Sequence, residues 1–301
     1  MEPTTLSPAV ILPETSRPRS QGWRVLRHLL HKRSAQIGGS IFLLLVFLAL
    51  FGPLLTPYDP FDIQVEQRLM PPSRANLFGT DEQGRDLFSR IIFGARYALL
   101  IMLITTGIGA LGGLGLGLPS AYLGGRADML VMRLMDVMLG FPYILLILAI
   151  VAILGPSLEN AMVAIGVASI PSFARLARSA ILVVKEQDFV TAERALGSSH
   201  LRIMFRTILP NILSPIIVYV SLTMPTAVLA AASLSFLGLG AQPPIPEWGA
   251  MLVNARDFLV TAPWVVLAPG LTIFVVTLGI NLLGNALRDV LDPRETTKKQ
   301  V

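Results

Sequence analysis

The side chains that could do covalent or acid–base chemistry in this 301-residue chain are few, and they stand apart from its apolar runs. Cysteine is absent, which excludes disulfides, thiolate metal sites and cysteine nucleophiles. Only His28, His31 and His200 offer an imidazole, and all three lie outside the apolar runs. Those runs hold neither a His base nor paired carboxylates, so an intramembrane protease is poorly supported. Phosphate chemistry fares no better. The lysines are Lys32, Lys185, Lys298 and Lys299, none follows a glycine, and no G-x-x-x-x-G-K-[ST] loop occurs, so the chain is not itself an ATPase. Residues 107–112 match G-x-G-x-x-G letter for letter but sit within apolar sequence. There Gly109, Gly113 and Gly117 fall four apart, which strips one helix face of side chains and predicts close helix packing rather than a nucleotide site.

Other candidates reduce in the same way. Asp81, Arg85, Asp86 and Arg90 could bind a ligand, but a Gly-rich turn that caps an entering helix and pairs its own charges accounts for them more simply. A calcium loop would need regular oxygen spacing and a terminal Glu, which are missing. Met129, Met132, Met135 and Met138 recur every three positions; a soft-metal track is conceivable, and helix packing is the stronger reading. Pro243, Pro244, Pro246 and Trp248 read as a structural segment, with Trp248 anchoring a span at the outer membrane interface. The formal charge of +5 comes without a basic stripe interleaved with stacking aromatics, so nucleic acid is not the partner.

What must position these residues is a set of membrane spans. With 53% hydrophobic and 14% charged residues, the chain carries more apolar surface than a soluble core can hide. Apolar runs of about 20 residues, the length that crosses a bilayer, recur along it. They are expected at Ile37 to Leu55, Tyr97 to Tyr122, Met129 to Leu154, Ala161 to Leu182, Ile212 to Leu239 and Ala262 to Leu287, six in all. Residues 1–21, rich in Pro, Ser and Thr, read as a disordered tail, and Trp23 to Arg33 as a basic interfacial helix. The first span lies too far from the start for a signal peptide and stays attached. The span middles lack Asp, Glu, Lys and Arg, and Asp136, Arg133, Arg175 and Arg178 fall toward the ends, which disfavours a proton-coupled carrier while leaving carbonyl sodium sites open.

Six spans put both termini on one side. Assigning the tails and the loops near 126, 185–206 and 288–301 to that face gives it 18 Lys/Arg against 10 Asp/Glu, whereas the other face has 6 against 9. The first face is cytoplasmic by the positive-inside rule.

The polar segment Glu186 to Pro210 reads as a helix, a stop and a second helix. Asp188 is placed to cap the first helix, Gly197 to end it in the left-handed conformation, and Ser198 to cap the second. On the second helix Leu201, Met204, Phe205 and Ile208 fall on one side, and Pro210 suits the first turn of the next span. This stretch resembles the coupling loop of binding-protein-dependent ATP-binding cassette importers, whose pattern is Glu-Ala-Ala, three residues, Gly, nine residues, an aliphatic, any residue, Leu-Pro. Gly197, Leu209 and Pro210 fall in register, while Thr191-Ala192-Glu193 stands in place of Glu-Ala-Ala and Thr207 in place of the aliphatic. The Glu193 carboxylate comes two positions later than the family's acid, which turns it by about 200° around a helix. Phe78 to Arg90 (Phe-Gly-Thr-Asp-Glu-Gln-Gly-Arg-Asp-Leu-Phe-Ser-Arg), Leu234 to Pro244, Pro246 to Leu252 and Asn281 to Pro293 are similar to the dipeptide and oligopeptide permeases of the subunit type with a Gly-Thr-Asp signature.

The resemblance, which covers roughly residues 37–294, implies an all-α integral membrane protein with the six-helix permease fold and cytoplasmic termini. Its parts would be a tail and interfacial helix (1–35), the first transmembrane helix (36–56), an extracytoplasmic segment (57–92), a five-helix core (93–290) with a coupling loop at 185–210, and a cytoplasmic tail (291–301). It implies a second permease, two ATPase subunits and an extracytoplasmic solute-binding protein as partners, with ATP and Mg bound by the ATPases and no cofactor, metal or catalytic residue in this chain. Thr191, Ala192, Glu193, Arg194, Gly197, Ser198, Leu209 and Pro210 would make the ATPase contact, and Ala227, Ala230, Ala231, Ala232, Ser233 and Ser235 would repack against a partner. Cargo would be a dipeptide or oligopeptide, with glutathione or nickel as alternatives within the family. An ion-coupled secondary carrier and a passive scaffold are the alternatives outside it. The expected location is the inner membrane of a prokaryote.

Overall fold

A computed structural model describes residues 29–291, and all its regular structure there is helical apart from one isolated bridge between Thr80 and Asp86. The expected tails and most of the Trp23 to Arg33 helix lie outside the described residues. The long helices are α1 (Arg33–Leu55), α2 (Leu87–Leu123), α5 (Leu158–Lys185), α7 (His200–Phe236) and α9 (Trp264–Leu291), each apolar and long enough to cross a bilayer. Between them stand α3 (Gly125–Leu139), α4 (Tyr143–Leu154), α6 (Asp188–Ala195) and α8 (Trp248–Ala255).

The span expected over Met129 to Leu154 is two helices, α3 and α4, bent by 93°. Pro142, with ψ at 130°, is not helical, so α3 ends at Leu139 and α4 starts afresh at Tyr143. The five continuous spans and this broken pair make six crossings when the pair is counted once. Of the methionine series only Met135 is fully buried; Met129 is exposed, because α3 lies on the outside with Leu130 and Leu134.

Helix ends differ from expectation where a cap extends the helix beyond the apolar run. Asp86 accepts from the Ser89 N–H at 2.8 Å and starts α2 ten residues before Tyr97. Ser157 accepts from the Asn160 N–H at 3.1 Å and starts α5 at Leu158. α7 begins twelve residues ahead of the expected Ile212, because the second loop helix runs on through a π-helical segment, Ile203–Ile208, into the span. Pro210 has no N–H for an i→i−4 bond, and the wider turn sits where that bond is missing.

α2 and α5 form the most extensive helix pair, and the glycine face explains it. A Cβ on Gly113 would fall 2.7 Å from the Ala174 nitrogen and one on Gly117 2.9 Å from the Ala174 oxygen, so the backbones meet directly. α1 is held against α9 in the same manner, Gly38 facing the Leu283 nitrogen. One apolar core fills the middle of the bundle and the end bearing α8. A second, around Leu118, Tyr122, Ile181, Val190, Ile203 and Ile208, fills the end bearing α6. Large apolar side chains such as Leu43, Leu54, Leu111 and Ile153 cover the outside, as lipid or a partner helix requires.

Two expectations about the α8 end are corrected. Trp248 is only 2% exposed and donates from Nε1 to the Ile91 carbonyl at 3.1 Å, locking α8 to α2; it is a core residue, not an interface anchor. Ala227, Ala230, Ala231 and Ser235 are buried within the chain, and Ala232 backs onto Gly249 of α8, so five of the six small residues pack internally and Ser233 alone is left exposed.

Candidate coupling site

The loop from 186 to 210 is built on the second core. α6 starts with Gln187 in extended conformation as its N-cap, without a side-chain bond, so Asp188 is the first helical residue and not the cap; its charge still sits at the positive end of the helix. The helix ends as the sequence predicts: Gly197 has φ +76°, its N–H donates to the Arg194 carbonyl at 3.0 Å, and the Ser198 N–H donates to the Glu193 carbonyl at 3.1 Å. This is the two-bond Schellman closure that a left-handed glycine permits. Ser199, not Ser198, caps the following helix by accepting from the Arg202 N–H at 3.4 Å. The chain needs Gly197 and Ser198 to complete the first helix, which moves the cap on by one.

The expected single apolar face of the second helix is divided. Ile203, Met204 and Ile208 are buried with Val190, whereas Leu201 and Phe205 point outward, 65% and 57% exposed. The π segment adds a residue to its turn and separates the two sets. With Phe189 and the 85% exposed Leu196, they give the loop an outward apolar surface that no described residue covers. Thr191, Ala192, Arg194 and Gly197 share that exposure, Ser198 and Leu209 are half-buried, and Pro210 is exposed.

Glu193 turns inward, and its carboxylate accepts a 2.7 Å hydrogen bond from the buried Thr207 hydroxyl. Two of the three positions where this chain departs from the family pattern, Glu193 and Thr207, are therefore bonded to each other, and the third, Thr191, is exposed. Three further contacts tie the loop to the spans. The Tyr122 hydroxyl at the end of α2 lies 2.9 Å from His200 Nδ1, the Arg194 guanidinium sits 5.4 Å from the centre of the Tyr122 ring, and Lys185 donates to the Ala121 carbonyl at 3.4 Å. Sequence reasoning missed Tyr122 and His200, since nothing local connects residues 78 positions apart. Beside them, Arg178 clamps Asp128 and Arg175 meets Asp136 at 2.8 Å, bracing α3 against α5.

At the opposite end, the Gly-Thr-Asp segment forms the expected turn. Gly79 and Gly84 have φ +77° and +76°, and Asp81 accepts from the Arg85 backbone at 2.9 Å and its guanidinium at 2.7 Å. Arg90 donates to the Pro60 carbonyl at 2.8 Å. Burial, then the neighbouring Asp81 charge, pushes the Glu82 carboxyl above its ordinary range. Glu247 is also raised by burial, opposed by bonds from the Gly249 and Ala250 N–H groups and the Ser235 hydroxyl. Glu247 caps α8 and Glu82 accepts from the Arg85 guanidinium at 3.3 Å, so both acids serve the scaffold.

Residues 113–297, which contain the loop, match the family described as binding-protein-dependent transport system inner membrane component. The chain is also 47% identical over 294 residues to the di/tripeptide transport system permease protein DppC of Pseudomonas aeruginosa, covering 95% of each. The chain belongs to this permease family. It is a multi-pass inner membrane transport subunit and not an enzyme. Residues 20–72 of the permease match the N-terminal transmembrane domain of oligopeptide transport permease C. It is 46% identical to the dipeptide permease DppC of Alkalihalophilus pseudofirmus, covering 94% of this chain and 93% of that one. Its identity to the glutathione permease GsiD of Pectobacterium atrosepticum is 44%, covering 90% and 91%. A solved structure of the MetNI methionine ABC transporter superposes with a TM-score of 0.55 at 19% identity, covering 67% of the permease and 96% of that chain, and shows the shared helical fold.

Proposed function

We propose that this permease forms one half of a peptide importer's translocation path and takes its driving force from a separate ATPase seated on the 188–206 loop. The observation that carries the reading is the two-sided loop: Leu196, Leu201 and Phe205 face outward, while Val190, Ile203 and Ile208 are fixed in a core shared with α2, α5 and α7. An apolar patch on a charged loop is what a groove on a partner protein would cover. A partner that moves there moves the spans with it, because close-packed cores transmit displacement rather than absorb it.

The charge bias supports a topology with this loop and both termini in the cytoplasm and the α8 end outside. The assembly would hold a second permease, two ATPases that bind ATP and Mg, and a solute-binding protein on the outer face; this chain needs no cofactor. Thr191, Ala192, Arg194, Gly197 and Pro210 would meet the ATPase directly, while Glu193, Ser198 and Leu209 shape the surface they share. A peptide cargo is supported by the relatives' names, and the glutathione relative fits the same reading because glutathione is itself a peptide.

Gly197 supplies the test. A Cβ there would meet nothing within 4 Å, so substitution acts through the backbone alone. Gly197→Val in the left-handed region should strain the turn by roughly 1–2 kcal/mol and reduce ATP-driven uptake while membrane insertion and subunit assembly persist. Gly197→Asn, which tolerates that conformation, should keep most of it. Full uptake by the Val variant would remove the coupling role.

A further inference from the structure

Halfway across the bundle lies a cavity of about 110 Å³ that the coupling mechanism does not use. Thr105, which lines it, is the central residue of the 37-residue α2, and the other walls come from α4, α5 and α7. No ionised side chain lines it; apart from Phe173 and Ala227 every lining residue carries a hydroxyl. At this depth hydroxyls facing lipid are costly, so their convergence from four helices on one space marks a polar path.

The hydrogen bonds show which chemistry that space offers. Thr105 donates to the Ile101 carbonyl at 2.6 Å, Ser169 to Ile165 at 2.8 Å, Thr223 to Tyr219 at 2.9 Å and Thr226 to Thr223 at 2.7 Å. With their protons committed to the backbone, these oxygens present lone pairs to the cavity, which suits a ligand rich in N–H donors. Two hydroxyls are different. Ser172 and Tyr219 carry no side-chain hydrogen bond to any described residue, and the Tyr219 ring is held edge-on against Phe173 at 4.8 Å between centroids. They are free both to donate and to accept.

We propose that this cavity is the permease's own contact site for the moving peptide, with the committed Ser and Thr oxygens accepting from the peptide's ammonium and amide N–H groups and Ser172 and Tyr219 bonding its carbonyl or carboxylate oxygens. The inference rests on the peptide-importer reading above. Neutral hydrogen bonds suit this task. They replace part of the water around a zwitterionic main chain without the deep trapping that a buried ion pair would cause, and they ignore the identity of the side chains.

The test uses the full transporter, assembled with its partner subunits in proteoliposomes and supplied with a labelled dipeptide. Tyr219→Phe and Ser172→Ala each delete one hydroxyl while keeping the packing, and each should lower the peptide moved per ATP hydrolysed by about five-fold, the double variant by more. Ser179→Ala, on the same helix but away from the cavity, should leave this ratio unchanged. Because the natural chain has no cysteine, Ser172→Cys adds a unique thiol to it. A small charged thiol reagent should modify that position during turnover, read on this chain by mass spectrometry. An unchanged ratio in the double variant, or a thiol that stays unmodified, overturns the proposal. If the unaltered transporter itself moves no peptide with ATP, the importer reading has failed instead, and the two failures are told apart by that control.

Discussion

Glu193 and Thr207 show how a departure from a family pattern can be resolved by one bond. A carboxylate at 193 would be poorly placed on a half-buried helix face without a partner, and a hydroxyl at 207 would be unsatisfied in the core. Together they close a 2.7 Å hydrogen bond between α6 and the π segment of α7. Glu193→Ala and Thr207→Val restore the residue types of the family pattern, so they form a natural double-mutant cycle. Each single change should destabilise the assembled transporter by about 1–2 kcal/mol, and the double change by about 1 kcal/mol less than their sum, measured by thermal unfolding. Strict additivity would mean the bond does nothing. Gly197 was legible in the sequence because a helix stop of that kind has few solutions, and the structure adopts it. The Glu193 bond was not, since its partner lies 14 residues on and across a π turn that shifts every later side chain.

At the scale of elements, hydropathy located the spans and said little about where they end. The ends are set by polar caps such as Asp86 and Ser157, which an apolar window does not weigh. The break at Gly140 to Pro142 carried its own signal, a proline inside the run, but the residues on both sides are apolar enough to read as one crossing. Trp248 was misplaced for a related reason. An aromatic beside a span is commonly interfacial, and only the bond to Ile91, 157 residues away, shows that it is core. The short helices α6 and α8 mark the two ends of α7, whose 37 residues extend about 55 Å. They are therefore the right places to test orientation. A reporter inserted at Ala195 should read cytoplasmic and one at Ala250 extracytoplasmic; the reverse pattern would invert the proposed topology.

At the scale of the molecule, two cores divide the labour. The larger holds the Gly-Thr-Asp turn, α8 and the mid-membrane helices together, and the smaller fixes the loop around Gly197 to the ends of α2, α5 and α7. In the proposed mechanism, displacement imposed on the exposed Leu196, Leu201 and Phe205 surface would be carried by the smaller core into the long helices that line the hydroxyl-bearing cavity. The lack of a phosphate-binding loop and the span middles free of ionised residues are consistent with the proposed supply of energy from a separate ATPase. The direct measurement is uptake of a labelled dipeptide by proteoliposomes containing the complete transporter, with ATP and ion gradients varied independently. Accumulation that requires hydrolysable ATP and is indifferent to ionophores is the predicted result. Uptake that survives without ATP and collapses with an ion gradient would contradict it.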